Sequence, residues 1–174
     1  MSLWATILTG VASSFVAALV FLAFTHCIRP KLEIGRNISR RPLANGGNEY
    51  AIKVVNRAYR GAIDLYPRLQ IVHVTFPAGG HHLMTVEPVT LKTTHFFFLR
   101  GYRKRDQDGQ YAVRFASTED LDAKWVDRNH SYVRFLLKAT DRLSGVTDIF
   151  EMHFRGNDSI KDGQFKTGRS TEIG

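Results

Sequence analysis

The chain has a single cysteine, Cys27, so no intramolecular disulfide can form. That excludes a small disulfide-stapled fold and fits a reducing compartment. No Asp, Glu, Lys or Arg lies between Leu3 and Ile28, and no charged side chain precedes that run. A cleaved secretory signal would need a basic leader, a short apolar core and a small-residue cleavage site, and this segment has none of them. The phosphate-cradling glycine loop, the nucleophile elbow and the zinc-protease helix are also missing. There is no internal repeat and no low-complexity stretch. With no legible nucleophile–base pair or metal constellation, the expectation is a non-enzymatic protein with no cofactor and no metal.

What is present is a long apolar run. At 1.5 Å per residue, about 20 apolar residues cross the hydrocarbon core of a bilayer, and Leu3–Ile28 exceeds that. Residues 1–28 are therefore expected to form an uncleaved transmembrane anchor. Arg29, Lys31, Arg36, Arg40 and Arg41 follow it, against one acid, Glu33. By the positive-inside rule the N-terminus lies outside and the folded domain in the cytoplasm. This predicts a single-pass protein of the cell (inner) membrane.

The net charge is +8 and the pI about 9.9. The anchor makes anionic lipid the simplest partner for the nearest basic residues, and no nucleic acid is expected. Residues 29–41 read as a basic juxtamembrane tether, with Arg29, Lys31, Arg36, Arg40 and Arg41 on lipid headgroups. Each would contribute about 1 kcal/mol near the surface. Fixing topology alone also accounts for these charges. Cys27 stands where palmitoylation sometimes occurs, and an unmodified thiol is the alternative.

The helix has two faces. Thr6, Thr9, Gly10, Ser13 and Ala17 share one, with Ser14 at its edge, while Trp4, Leu8, Val11, Phe15, Leu19 and Leu22 share the other. Gly10, Ser14 and Ala18 repeat at four-residue spacing, which lets helices approach closely. The small face reads as a self-association surface, in its sharpest form the lining of a small oligomeric pore. A lone anchor whose hydroxyls bond their own backbone is the other reading.

Residues 42–168 read as one cytoplasmic β domain and 169–174 as a loose tail. Strands are expected at Glu49–Asn56, Ala62–Phe76, Leu83–Leu91, His95–Arg100, Tyr111–Phe115, Tyr132–Thr140, Val146–Arg155 and Ser159–Phe165. Pro67 marks a bend or an edge in the second. Ser117–Val126 is the one helix-like piece outside the anchor, with Ser117 or Thr118 as its cap. Turns are expected at Leu43–Asn48, Pro77–His82 and Asp108-Gly109. Seven or more strands at this spacing predict a mainly β, immunoglobulin-like antiparallel sandwich.

A second basic cluster, Arg100, Arg103, Lys104 and Arg105, surrounds Tyr102. It reads as a site for an anionic ligand or as a solvated hairpin. His81-His82 reads as a solvated turn, since no metal-ligand spacing supports it.

The order of pieces resembles the cytoplasmic domain of inward-rectifier potassium channels, particularly the bacterial ones. The likeness runs through Arg29-Pro30-Lys31, Ile34–Ile38, Ile52-Lys53-Val54-Val55-Asn56, Ala62–Val74, Val86–Phe98 with Val89-Thr90-Leu91-Lys92, Thr118-Glu119-Asp120-Leu121, Phe135–Phe154 and Ile160–Phe165. The chain also resembles bacterial single-anchor β-sandwich membrane proteins. The channel filter and outer helix are missing, so potassium selectivity does not carry over. The resemblance implies an immunoglobulin-like domain, a homo-oligomer of tetrameric type and lipid contact at Arg29 and Lys31.

The first reading is thus a membrane protein whose cytoplasmic domain senses a ligand or partner and controls helix packing. The alternative is an adaptor that recruits a cytoplasmic partner. A third is a nucleotide-triggered membrane effector of bacterial defence.

Overall fold

One long unbroken apolar run and many short alternating ones build two kinds of element, a long helix and a set of paired strands. The computed structural model describes residues 3–44, 46–75, 83–106 and 109–174, leaving aside the side chains of residues 3, 5, 6 and 25–27. The expectations for Thr6, Cys27, His81-His82 and Asp108 lie outside what is described. The apolar run forms α1, Leu3–Cys27. Its Ile7–Phe24 stretch is long and apolar enough to cross a membrane, and none of it is buried against the rest of the chain. The Ile28 amide still donates to the Phe24 carbonyl at 3.2 Å. Pro30, which has no amide hydrogen, follows, and the helix goes no further.

Among the described residues ten strands follow: β1 (Leu32–Ile34), β2 (Ile38–Pro42), β3 (Asn48–Asn56), β4 (Ala62–Thr75), β5 (Leu83–Val89), β6 (Phe96–Leu99), β7 (Ala112–Ser117), β8 (Ser131–Asp141), β9 (Thr147–Phe154) and β10 (Ile160–Asp162). A short helix, α2 (Leu121–Lys124), joins β7 to β8. They make a two-sheet β-sandwich behind a single apolar helix, the mainly β class the patterning predicts. In one sheet β3 is central. It pairs with β7 on one edge and with β1 and β2 in succession on the other. Strand β10 extends this sheet beside β2, in parallel. In the other sheet β4 is central, with β8 and then β9 on one side and β6 followed by β5 on the other. Pro67 falls between the last residue paired to β6, Leu65, and the first paired to β5, Leu69. A residue without an amide hydrogen is tolerated where that edge is briefly unoccupied.

The core lies between the sheets. In β8 the alternating Val133, Phe135, Leu137 and Ala139 are all fully buried, as the sequence pattern requires. They face Ile52 and Val54 of β3 and Phe115 of β7 within one cluster. The Phe115 and Phe135 rings stand 5.9 Å apart. Burying each such side chain stabilises the fold by about 1.5–3 kcal/mol.

Three boundaries differ from the sequence reading. Residues 29–41 are not a free tether: Leu32, Ile34 and Ile38 are buried in the core, and strand pairing begins at Leu32. One apolar pair at strand spacing, Leu32 and Ile34, together with Ile38 in the next strand, outweighs the basic residues around them. The helix-like stretch 117–126 narrows to α2, capped by Asp120, whose carboxylate accepts from the Asp122 and Ala123 amides. Asp120, one turn later than the expected cap, both satisfies these amides and hydrogen-bonds the Tyr50 hydroxyl at 3.0 Å.

The third difference is the C-terminal segment. Residues 169–174 are folded back, with Ile173 bridged to Phe165 and the Gly174 amide donating to the Gln164 carbonyl at 3.0 Å. A cation holds this segment. Lys53 of β3 is only 2 % exposed, and its Nζ donates to the carbonyls of Lys166, Gly168 and Ser170 at 2.6, 2.8 and 2.7 Å. An apolar-looking strand therefore carries a lysine whose partners are all backbone oxygens, which no side-chain pattern reveals.

Candidate binding site at the helix-proximal end

The end of β3, the start of β4 and the ends of β6 and β8 lie together, because Ala62 pairs with both Leu99 and Asp141. Three connections meet at this end: residues 57–61, 100–103 and 142–146. Asn56 joins two of them. It is fully buried, its Nδ2 donates to the Arg60 and Arg100 carbonyls at 2.8 and 3.1 Å, and its Oδ1 accepts from the Ala58 amide at 3.0 Å. A buried amide with its donors and acceptor used fixes these loops against each other. The loops also approach closely. A Cβ on Gly101 would lie 2.0 Å from the Tyr59 carbonyl oxygen, and one on Gly61 2.4 Å from the Phe98 ring. At 101 the atoms met are backbone and only glycine fits, whereas a side chain at 61 would require the Phe98 ring to shift.

The third loop is held by Asp141. Its side chain is only 1 % exposed. Oδ1 accepts from the Leu143 and Ser144 amides, each at 3.0 Å, while Oδ2 accepts from Arg60 at 3.1 Å. Burial works against its charge. The Ser144 amide, Arg60 and the Leu143 amide outweigh that and hold its pKa below the usual aspartate value.

Between the loops lies a cavity of about 580 Å³, lined by Tyr59, Arg60, Gly61, Phe98, Arg100, Gly101, Arg103, Arg142 and Leu143. Four arginines therefore meet in one hollow. Arg60 is neutralised by Asp141, and the Arg142 guanidinium sits over the Phe98 ring, 5.4 Å from its centroid. Arg100, Arg103 and Arg142 have no carboxylate partner among the described residues. Two apolar side chains flank the opening, Tyr59 at 84 % and Leu143 at 74 % exposed. The cavity is tied to the helix: the Ser144 hydroxyl, next to Leu143, donates to the Ile28 carbonyl at 2.8 Å.

The residues expected from sequence fall in several places. Arg100 and Arg103 line the cavity, whereas Lys104 and Arg105 are exposed outside it. Arg29 and Lys31 are exposed at the same end, and the Arg57 amide donates to the Lys31 carbonyl at 2.8 Å. Arg57 itself pairs with Glu33 at 2.5 Å, which lowers the Glu33 pKa. Arg36 is exposed where β1 passes into β2. Arg40 and Arg41 belong elsewhere. Lying at the far end of β2, they are roughly 20 Å from the start of β1 at strand rise. Arg40 pairs with Asp162 at 2.6 Å and Asp122 at 2.8 Å, and Arg41 with Glu49 at 2.7 Å. Their charges are used inside the domain, so the expected lipid role at these two positions is corrected. Along the helix, Thr9, Gly10, Ser13 and Ala17 are exposed, and the Ser14 hydroxyl donates to the Gly10 carbonyl at 3.0 Å.

Sequence reading missed Tyr59, Arg60, Phe98 and Arg142. The available signal was that Arg57, Arg60, Arg100 and Arg142 each stand close to a strand end, with Arg103 in the loop that follows Arg100. Which strand ends meet is a matter of topology.

Among the described residues no group of three or more His, Cys, Asp or Glu side chains could hold a metal. A second polar cluster, at the opposite end, is internally satisfied. Asp122 accepts from Tyr50 and Arg40 at 2.8 Å each and from Arg128 at 2.5 Å, which secures α2 to β2 and β3.

No family model matches the sequence, and no curated protein matches it. Solved structures do align with it. A protein from Bordetella pertussis described as ApaA aligns at 7 % identity and TM-score 0.37, over 71 % of this chain and 89 % of that one. Spo0M, a sporulation control protein from Bacillus subtilis, aligns at 11 % identity and TM-score 0.38, over 74 % of this chain and 50 % of its own.

Proposed function

We propose that the chain is a non-enzymatic single-pass protein of the inner membrane. Its β-sandwich lies in the cytoplasm, binds a ligand at the helix-proximal cavity, and so controls how α1 packs against copies of itself. The observation that carries this reading is the bond between the Ser144 hydroxyl and the Ile28 carbonyl. It connects the cavity wall to the last turn of the helix, so a shift in the 142–146 turn moves the helix end. Arg29 and Lys31, directly after α1, support the cytoplasmic orientation. The small face at Gly10, Ser13 and Ala17 is open for helix contact, and a tetramer is the state that the inward-rectifier resemblance implies.

The test is the mass of the full chain in detergent, wild type beside a variant carrying Gly10→Leu and Ser14→Leu. An oligomer that dissociates in the variant is expected. A monomer in both would overturn helix packing as the output.

One observation favours a second reading, a membrane-held adaptor. Leu83, Met84 and Val86 are exposed on β5, whose outer edge pairs with no other described strand. An apolar edge of this kind can accept a partner's strand. The Ser14 hydroxyl, satisfied by its own backbone, also suits a passive anchor.

A further inference from the structure

The cavity's chemistry is more specific than a basic patch. Arg60 is neutralised by Asp141, leaving Arg100, Arg103 and Arg142 around one space with no carboxylate partner among the described residues. Arginine forks match phosphate oxygens in pairs, and three uncompensated charges suit a dianion better than a monoanion. A phosphate monoester carries about −1.5 to −2 at pH 7, whereas a diester carries one charge. The walls are preorganised. Asn56 bonds the carbonyls of Arg60 and Arg100, so the backbones that present these arginines are set before any ligand arrives.

Position indicates the source of the phosphate. Leu143 precedes the serine that bonds the helix end, and both it and Tyr59 are exposed beside the cavity. Where a helix leaves a bilayer, an exposed tyrosine and leucine lie among headgroups, and here they line the same cavity as the arginines. We propose that the cavity is a phosphomonoester site, occupied by the headgroup of an anionic lipid such as phosphatidic acid. This rests on the membrane reading of α1, and it names the ligand class that the proposed function leaves open. Tyr59 and Leu143 enter the interface, Arg142 stays stacked on Phe98, and Arg100 and Arg103 close on the phosphate from the opposite wall.

The experiment is calorimetric titration of the full chain in neutral detergent at about 0.15 M salt, where loose surface attraction is screened. The probes are dioctanoyl phosphatidic acid, dioctanoyl phosphatidylglycerol and glycerol 3-phosphate. The variants are Arg100→Gln with Arg103→Gln, and Lys161→Gln as an exposed cation on β10, away from the cavity. Neither Arg100 nor Arg103 makes a side-chain bond among the described residues, so the double variant is expected to keep its fold, which circular dichroism checks. Wild type is expected to bind phosphatidic acid about tenfold or more tightly than phosphatidylglycerol. The double variant loses that preference and Lys161→Gln retains it. Glycerol 3-phosphate binding as tightly as phosphatidic acid would keep the phosphomonoester site and overturn the lipid as its source. Equal affinity for the two lipids in wild type, or a preference that survives the double variant, overturns the site. Intact phosphatidic acid binding by a chain that is always monomeric would overturn helix packing as the output and leave the site standing.

Discussion

Replacing Lys53 with methionine tests whether a buried cation holds the C-terminal segment to the sandwich. Methionine keeps most of the apolar stem and removes the ammonium. In the wild type that ammonium donates to three carbonyls, those of Lys166, Gly168 and Ser170, all within 2.8 Å. A hydrogen bond from a charged donor contributes about 2 kcal/mol net, so the three together supply about 6. Against this, burial, with the nearby Arg114 and Arg57 charges, pushes the Lys53 pKa from 10.5 down to about 8. That displacement corresponds to about 3 kcal/mol disfavouring the charged form. The balance leaves about 3 kcal/mol lost on substitution at pH 7, or roughly a hundredfold more of the opened segment.

The opening is local, because the carbonyls regain water once the segment lifts while the core between the sheets stays intact. Limited trypsin digestion of the full chain in detergent reads it out through cleavage after Lys166 and Arg169. Cleavage some hundredfold faster than in wild type, with little change in the main thermal transition, is expected. Cleavage within about threefold of wild type would refute the clamp. The pH dependence has a definite sign. Between about pH 8 and 10.5 the folded state holds fewer protons at Lys53 than the unfolded chain, so its contribution to stability rises with pH across that window. Lys53→Met removes that slope.

Asp141→Asn should cost about 2–3 kcal/mol at pH 7, because the buried carboxylate that gathers Arg60, Leu143 and Ser144 is lost. Its folded pKa lies below the ordinary 3.8, so this stability is present above about pH 4 and is lost as pH falls further; acid unfolding of wild type and variant, followed by circular dichroism, should therefore converge. Gly101→Ala should destabilise by about 3 kcal/mol or more in chemical denaturation, since its Cβ would meet the Tyr59 carbonyl oxygen at 2.0 Å and push the cavity loops apart. The Trp125 indole N–H is buried and finds no acceptor among the described residues. Trp125→Phe should then stay within about 1 kcal/mol of wild type, while Trp125→Ala costs about 3–5, by thermal denaturation.

The sequence alone carries everything that depends on one segment. An uncharged run of Leu3–Ile28 can only be a long apolar helix, because its length and lack of charge permit nothing else its size. Alternation at Val133, Phe135, Leu137 and Ala139 assigns each side chain of β8 to a face, since the strand period is two. Arg100 and Arg103 were also legible, as two members of the cluster Arg100, Arg103, Lys104 and Arg105, of which Lys104 and Arg105 fall outside the cavity.

Tertiary structure decided whatever joins distant segments. Whether a cation is free depends on what stands opposite, so Arg40 and Arg41 were consumed by Asp162, Asp122 and Glu49, while Arg142 joined Arg100 and Arg103 from a turn about forty positions away. In the sequence Lys53 is one charged residue within the expected strand Glu49–Asn56. Its role depends on carbonyls more than a hundred residues later, and backbone oxygens, present at every position, leave no mark in a sequence. Local pattern sets the period and face of an element, but ion pairing and cavity shape are sums over contacts that only the folded chain brings within a few ångströms.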